Sequence, residues 1–152
     1  MAPYSDGEGE ALDAAECRRL LSTARLGRLG FTDGAMPAII PVPFSLHGDA
    51  VLIPARRDGA LVRGVRGSVV ALGVDSYRDA LGPGWSVTVV GPSRVVGDAR
   101  ALAHIDGLGL FDERPPGDRG CYISVQLGLV WGRRTEATPA GLPSSVDASL
   151  AE

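Results

Sequence analysis

Across residues 13–52 the spacing of apolar positions changes once, and that change predicts how the fold begins. Cys17, Leu20, Leu21 and Ala24 recur at i, i+3, i+4 and i+7, which lines them along one face of a short helix. Asp13 with Glu16 three residues later is a capping-box-like start, and Gly27 offers a stop. From Leu26 the period becomes two. The pair Asp33-Gly34 then divides a first strand from a second, which is rich in Val, Ile and Pro. A helix followed at once by a hairpin is the opening of a small barrel with a helix packed on it.

The later pattern supplies more strands. Residues 50–54 read as a third strand, and residues 58–66 as a weak helix with Leu61, Val62 and Val65 on one side. The compact apolar run at 68–74 reads as a strand buried on both faces, followed by a loop at 76–84. Residues 85–96 carry the longest strand signal, with Gly91-Pro92 marking a bulge or bend of the kind barrels use to turn a corner. Asp98 caps a short helix over 98–105, and residues 112–120 are a Pro/Gly-rich exposed connector. In the last strand Cys121, Ile123, Val125, Leu127, Leu129 and Trp131 share one parity. The ends differ in composition: residues 1–12 are expected to be flexible and the Ala/Pro/Ser/Thr-rich 135–152 disordered, which leaves 13–134 as the domain. About six strands with two or three short helices place the chain in a mainly β, α+β class.

Composition narrows the function more than the fold. The 152 residues suit a single domain, and 45% hydrophobic with 22% charged residues is ordinary for a soluble globule. No apolar run approaches the ~18 residues of a membrane helix and no secretory leader is visible, so a cytoplasmic protein without membrane contact is expected. A net charge of −3 gives no electrostatic reason to bind nucleic acid. All fifteen basic residues are arginines. Without a lysine there is no Schiff base and no Walker-type phosphate lysine, so anions must be held by Arg forks, backbone amides or hydroxyls. Cys17 and Cys121 read as structural. The chain has no H-x-x-x-H, C-x-x-C or G-x-S-x-G, and no G-x-G-x-x-G between a strand and a helix. His47 sits at a turn and His104 at a helix end, and neither is nominated as catalytic.

Four segments in order carry a resemblance: E-C-R-R-L-L-S-T-A-R-L-G-R-L-G-F, I-P-V-P-F, V-A-L-G-V-D and W-S-V-T-V-V-G. Together they resemble the pyridoxamine 5′-phosphate oxidase-like family of flavin-binding split barrels, in its short actinobacterial and nitroimidazole-reductase-like branch. The resemblance spans residues 13–134. It implies an antiparallel six-stranded split β-barrel with short flanking helices, a homodimer, and FMN held in grooves between subunits. Positions similar to the family's flavin contacts are Arg25, the backbone of Pro41, Val42, Pro43 and Phe44, then Trp85 and Ser86, and finally Trp131 and Arg133. Pro37, Pro41 and Pro43 cannot donate ladder hydrogen bonds, so their strand needs an open edge, as a groove wall has.

Two departures from the family pattern bear on the cofactor. Relatives hold the flavin phosphate with a threonine and, five residues later, a lysine; here Ala55 and Ala60 stand there, with Arg56, Arg57 and Arg63 close in sequence as replacements. Pro43 stands where relatives often have a usable N–H. Losing one charge-assisted phosphate contact costs on the order of 2 kcal/mol, or about thirtyfold in affinity. The resemblance implies an FMN-dependent oxidoreductase acting on a small organic molecule, with no protein acid or base nominated. The alternatives are the same fold using F420 or haem, or a flavin-less small-molecule-binding dimer or flavin-independent pathway enzyme.

Overall fold

The computed structural model describes residues 9–78, 82–112 and 120–136. Parts of the expected loop at 76–84 and the connector at 112–120, and nearly all of both tails, lie outside those residues. Along the chain run β1 (Glu10–Leu12), α1 (Ala14–Thr23), β2 (Leu26–Asp33), β3 (Met36–Pro43), β4 (Ser45–His47) and β5 (Ala50–Arg56). There follow α2 (Ala60–Val65), β6 (Val69–Tyr77), β7 (Gly84–Val96), α3 (Ala99–Gly107), β8 (Gly120–Gln126) and β9 (Leu129–Thr135).

The nine strands form one antiparallel sheet in the order β3-β2-β6-β7-β8-β5-β4, with β9 pairing the first half of β7 and β1 pairing β9. The sheet is not closed. The six strands expected from the pattern are all present; the count rises because β1 and β4 are three-residue additions and because the last strand is split in two. That split has a local cause. β8 and β9 pair successive stretches of the same edge of β7, and the ladder slips by one residue between Ser93–Val125 and Val90–Leu129. At the slip the two backbones nearly touch: a Cβ on Gly91 would lie 1.8 Å from the Gln126 carbonyl oxygen, and one on Gly128 2.7 Å from that of Val90. Both glycines are therefore required, and the bend expected at Gly91-Pro92 is a bulge in the partner strand.

Helix α1 starts where the sequence placed it, with the Asp13 carboxylate accepting from the Glu16 N–H at 2.8 Å. It ends earlier than expected, at Thr23 with Ala24 as cap, and Gly27 is already inside β2. A Cβ there would meet Leu72 Cδ1 at 2.8 Å, so packing against β6, not helix termination, explains this glycine. Cys17, Leu20 and Leu21 face a core shared with Leu29, Phe31, Leu72, Val87, Ile123 and Val125. Helix α2 adds Val62 and Val65. A second apolar cluster lies outside the sheet, where α3 sets Leu102 and Ile105 on Leu52, Val96 and Tyr122, with the Tyr122 hydroxyl donating to Asp106 at 2.7 Å.

This second cluster corrects one expectation. The strand buried on both faces is not β6 but the pair β5 and β8, whose inner residues Val51, Ile53, Ile123 and Val125 face the core while Leu52 and Tyr122 lie under α3. In β6 only Val70, Leu72 and Val74 are buried, and Val69 on the other face is 67% exposed. No helix of the described residues covers the outer side of β6. Among the described residues no helix is long and apolar enough to cross a membrane.

Candidate functional site

Strand alternation puts Leu29, Leu72, Val87 and Val89 inside and their neighbours on an outer face shared by β3, β2, β6, β7 and β9. The register brings Ile39, Gly30, Ala71, Val90 and Leu129 into one row across five strands. The next row reads Pro41, Arg28, Gly73, Thr88, Trp131, and beyond it Ser86 stands directly opposite Arg133. Ile39 is 73% exposed and Leu129 58%. Contiguous apolar residues this open, on a face spanning five strands, mark a surface that meets something else.

The glycines on this face say what kind of thing. Gly30 and Gly73 have no positive φ, and added Cβ atoms would meet only the Ala71 oxygen at 3.7 Å and the Arg28 oxygen at 3.9 Å, which are ordinary contacts. Nothing in the chain itself demands glycine there, and mid-strand glycine weakens a sheet. With Ala71 between them they leave a smooth strip on which a flat ligand or another backbone can lie close. A hollow of about 190 Å³ opens beside the strip, lined by Leu26, Arg28, Pro41, Gly73 and Asp75. Its rim carries an ion pair, Arg28 Nη1 to Asp75 Oδ2 at 3.4 Å. The sequence reading missed Gly30, Gly73, Arg28 and Asp75, although the same alternation that gives the core residues places all four outside.

The structure brings some of the nominated residues together and separates others. Pro41, Ser86, Trp131 and Arg133 share the outer face. Arg133 donates from Nη2 to the Gly9 oxygen at 3.2 Å, and its Nε is buried without a hydrogen-bond partner among the described residues. A buried unpaired guanidinium N–H is unfavourable by roughly 1–3 kcal/mol or more, so an acceptor supplied from outside the chain suits this position. Val42 and Phe44 are each 2% exposed, so they can offer only backbone. The Phe44 N–H is itself already taken by the Arg25 oxygen at 3.0 Å. Strand β3 is terminal in the sheet, as its prolines require. Arg25, Pro43 and Phe44 line a separate hollow of about 230 Å³ with Pro54 and Phe111.

Trp85 is the outlier. Successive strand residues face opposite sides, so its side chain cannot share a surface with that of Ser86. It packs against the core on the α1 side, in a row with Ser76 and Arg134. Arg134 reaches α1 there, donating to Glu16 Oε1 at 2.7 Å, and Glu16 also accepts two hydrogen bonds from Arg19. The bonds from Arg19 and then Arg134 hold the Glu16 carboxyl at about 2.

The three replacement arginines lie at the β5–α2 corner, and each has a partner within the chain. Arg56 Nε donates to Asp58 Oδ1 at 3.3 Å, Arg63 Nη1 to the Asp58 carbonyl oxygen at 3.0 Å, and Arg57 to the Gly97 carbonyl oxygen. Ala55 is buried, facing the core, and Ala60 opens α2.

A family model described as pyridoxamine 5′-phosphate oxidase matches residues 13–119. The uncharacterized protein Rv0080 of Mycobacterium tuberculosis is 36% identical over 112 residues, covering 70% of this chain and 74% of its own. Among solved structures, the FAD binding protein from Mycobacterium smegmatis is 28% identical with a TM-score of 0.68, covering 84% of this chain and 100% of that one. The FAD and heme binding protein from the same organism is 17% identical, with a TM-score of 0.68 over 93% of this chain and 78% of its own, and shares the fold. The match over residues 13–119, well over half of the chain, shows that this chain belongs to the pyridoxamine 5′-phosphate oxidase family.

Proposed function

We propose that two copies of this chain meet through the outer face of β3, β2, β6, β7 and β9, hold FMN along that seam, and use it to oxidise or reduce a small organic molecule. The observation that carries this is the glycine strip: Gly30 and Gly73 are unnecessary to the subunit yet lie on a broad sheet face that no helix of the described residues covers. The apolar run of β6, which reads as buried on both faces, gains its second cover in such a dimer. The likeness to an FAD binding protein at 28% identity supports a flavin as the guest.

The flavin, when bound, supplies the hydride chemistry. The chain's own part is to bind and orient. Gly30, Ala71 and Gly73 allow a flat ring to approach the backbone, Pro41 and Trp131 flank it with apolar surface, and the unpaired Arg133 Nε–H offers a donor to an anionic or carbonyl oxygen. Seam closure excludes water by covering Ile39, Val69 and Leu129.

A second reading has a specific observation behind it. Arg56, Arg57 and Arg63 are all engaged within the chain, and Ala55 and Ala60 provide neither hydroxyl nor ammonium, so a phosphate would have to compete for its anchor. A flavin-less small-molecule-binding dimer, or the same fold loaded with F420 or haem, follows if it cannot compete.

One measurement separates these readings: the absorption spectrum of the purified protein before and after gel filtration with added cofactor, together with its mass by light scattering. A dimer with retained flavin bands at about 450 nm supports the proposal. A Soret band selects haem, and a colourless dimer that retains only F420 selects that cofactor. A protein that stays monomeric at high micromolar concentration refutes the seam.

A further inference from the structure

The hollow beside the glycine strip carries a polar pair that the subunit itself uses only loosely. Arg28 Nη1 donates to Asp75 Oδ2 at 3.4 Å, and among the described residues this is the one hydrogen bond either side chain makes. Arginine and carboxylate ordinarily close on each other through two parallel bonds of about 2.7–2.9 Å. Here a single long contact leaves Asp75 Oδ1 open to a donor, and leaves Nε and Nη2 of Arg28 open to an acceptor. Both side chains are exposed, and an exposed pair of this kind adds little to stability.

Its position points to a ligand. Arg28 stands directly opposite Gly73 in the β2–β6 ladder, and Asp75 follows Gly73 by two residues on the same face. Gly73 has no side chain, so a flat ring lying on it meets a donor at its side and an acceptor further along the strand. Pro41, the β3 partner of Arg28, and Leu26 supply apolar walls. At about 190 Å³ the hollow is smaller than the roughly 300–1,000 Å³ of a whole small-molecule site, so it suits one edge of a larger ligand. Arg133 does not duplicate the pair. It lies two strands away along the row Asp75–Ser86–Arg133, about 10 Å at ordinary strand spacing.

On the seam reading, we infer that Arg28 and Asp75 together recognise the imide edge of the flavin: Asp75 accepts from the ring N3–H, and Arg28 donates to a neighbouring ring carbonyl oxygen. The pair is neutral as a whole, so it favours an edge with donor and acceptor side by side over an anion. A flavin and the deazaflavin F420 both present such an edge. A porphyrin does not, and the carboxylates of haem, which only accept, would be repelled by Asp75. The pair thus selects for the first two and against the third.

The test titrates the full chain with FMN and with its N3-methyl derivative, followed by quenching of flavin fluorescence, and repeats both titrations on Asp75→Ala and Arg28→Ala. In the parent the N3-methyl derivative should bind about tenfold or more weaker, since it lacks the proton that a charged acceptor takes. In Asp75→Ala the two flavins should bind within about threefold of each other, whereas Arg28→Ala should weaken both by about tenfold and keep the preference for FMN. A parent that binds N3-methyl FMN like FMN would overturn this inference and leave the seam reading in place. So would a preference for FMN that survives Asp75→Ala undiminished, or an Arg28→Ala protein with the parent's affinity for both. Failure of the parent to bind either flavin would remove the seam reading, and this inference with it.

Discussion

Two glycines three residues apart in β2, and one in β6, allow opposite predictions from the same substitution. A Cβ at Gly27 would lie 2.8 Å from Leu72 Cδ1, 3.1 Å from the Gly73 oxygen and 3.3 Å from Val74 Cγ2. Gly27→Ala therefore overpacks a full core and should destabilise the subunit by about 1–3 kcal/mol. At Gly73 the nearest atom is 3.9 Å away and the backbone is ordinary strand, so Gly73→Ala should stabilise the subunit by about 0.4–1 kcal/mol through the unfolded chain. The dimer reverses this order. Gly73→Leu puts a branched side chain on a strip where the partner or the flavin must lie close, at about 1–3 kcal/mol for each of two copies. The dimer constant should then weaken by about 2–6 kcal/mol, or thirtyfold and upward. Chemical denaturation at nanomolar protein measures the subunit, and sedimentation with flavin titration measures the seam. A Gly73→Leu protein that dimerises and binds flavin like its parent, or a Gly73→Ala subunit as weakened as Gly27→Ala, would refute the reasoning.

Other consequences follow from single contacts. The Glu16 carboxyl is held at about 2, below its ordinary 4.5, so its link to Arg19 and Arg134 stabilises the fold fully above pH ~4.5 and is lost as pH falls toward 2. Hydrogen exchange in α1 and β9 should accelerate over that window, and Glu16→Gln should remove the pH dependence; an unchanged profile in the variant would assign the effect elsewhere. Tyr122→Phe removes the hydroxyl bonded to Asp106 and should lower stability by about 1–2 kcal/mol in urea without changing flavin binding. Arg133→Met should weaken flavin by about tenfold while costing the apo-protein no more than about 1 kcal/mol, since it loses the Nη2 bond to the Gly9 oxygen but relieves the unpaired Nε; a larger drop in melting temperature would mark it as structural. The double change Arg57→Ala, Arg63→Ala checks the phosphate corner, where unchanged FMN affinity would remove those arginines from the site.

Much of the fold is written in local periodicity. The α1 face of Cys17, Leu20 and Leu21, its Asp13 cap, the turn at Gly34 and the Asp98 cap of α3 depend on residues within a few positions of one another, and each is where the pattern puts it. The identity of neighbours is a longer-range matter. Nothing near β6 in the chain says that its outer side is uncovered while β5 and β8 lie under α3, because that depends on where a helix thirty residues away comes to rest. The same holds for the glycines: all look alike in sequence, yet Gly27, Gly91 and Gly128 are required by atoms of distant strands, while Gly30 and Gly73 are not. The candidate site was legible as a set of residue types carried by resemblance, but its geometry was not. Alternation alone already forbids Trp85 and Ser86 from sharing a surface, whereas Arg134 meeting Glu16, or Arg57 turning away to Gly97, is settled only when strands far apart in sequence are brought side by side. Sequence thus determined the elements, because backbone preference and burial period are local; tertiary structure decided which faces stay bare, because exposure is a property of what else has packed nearby.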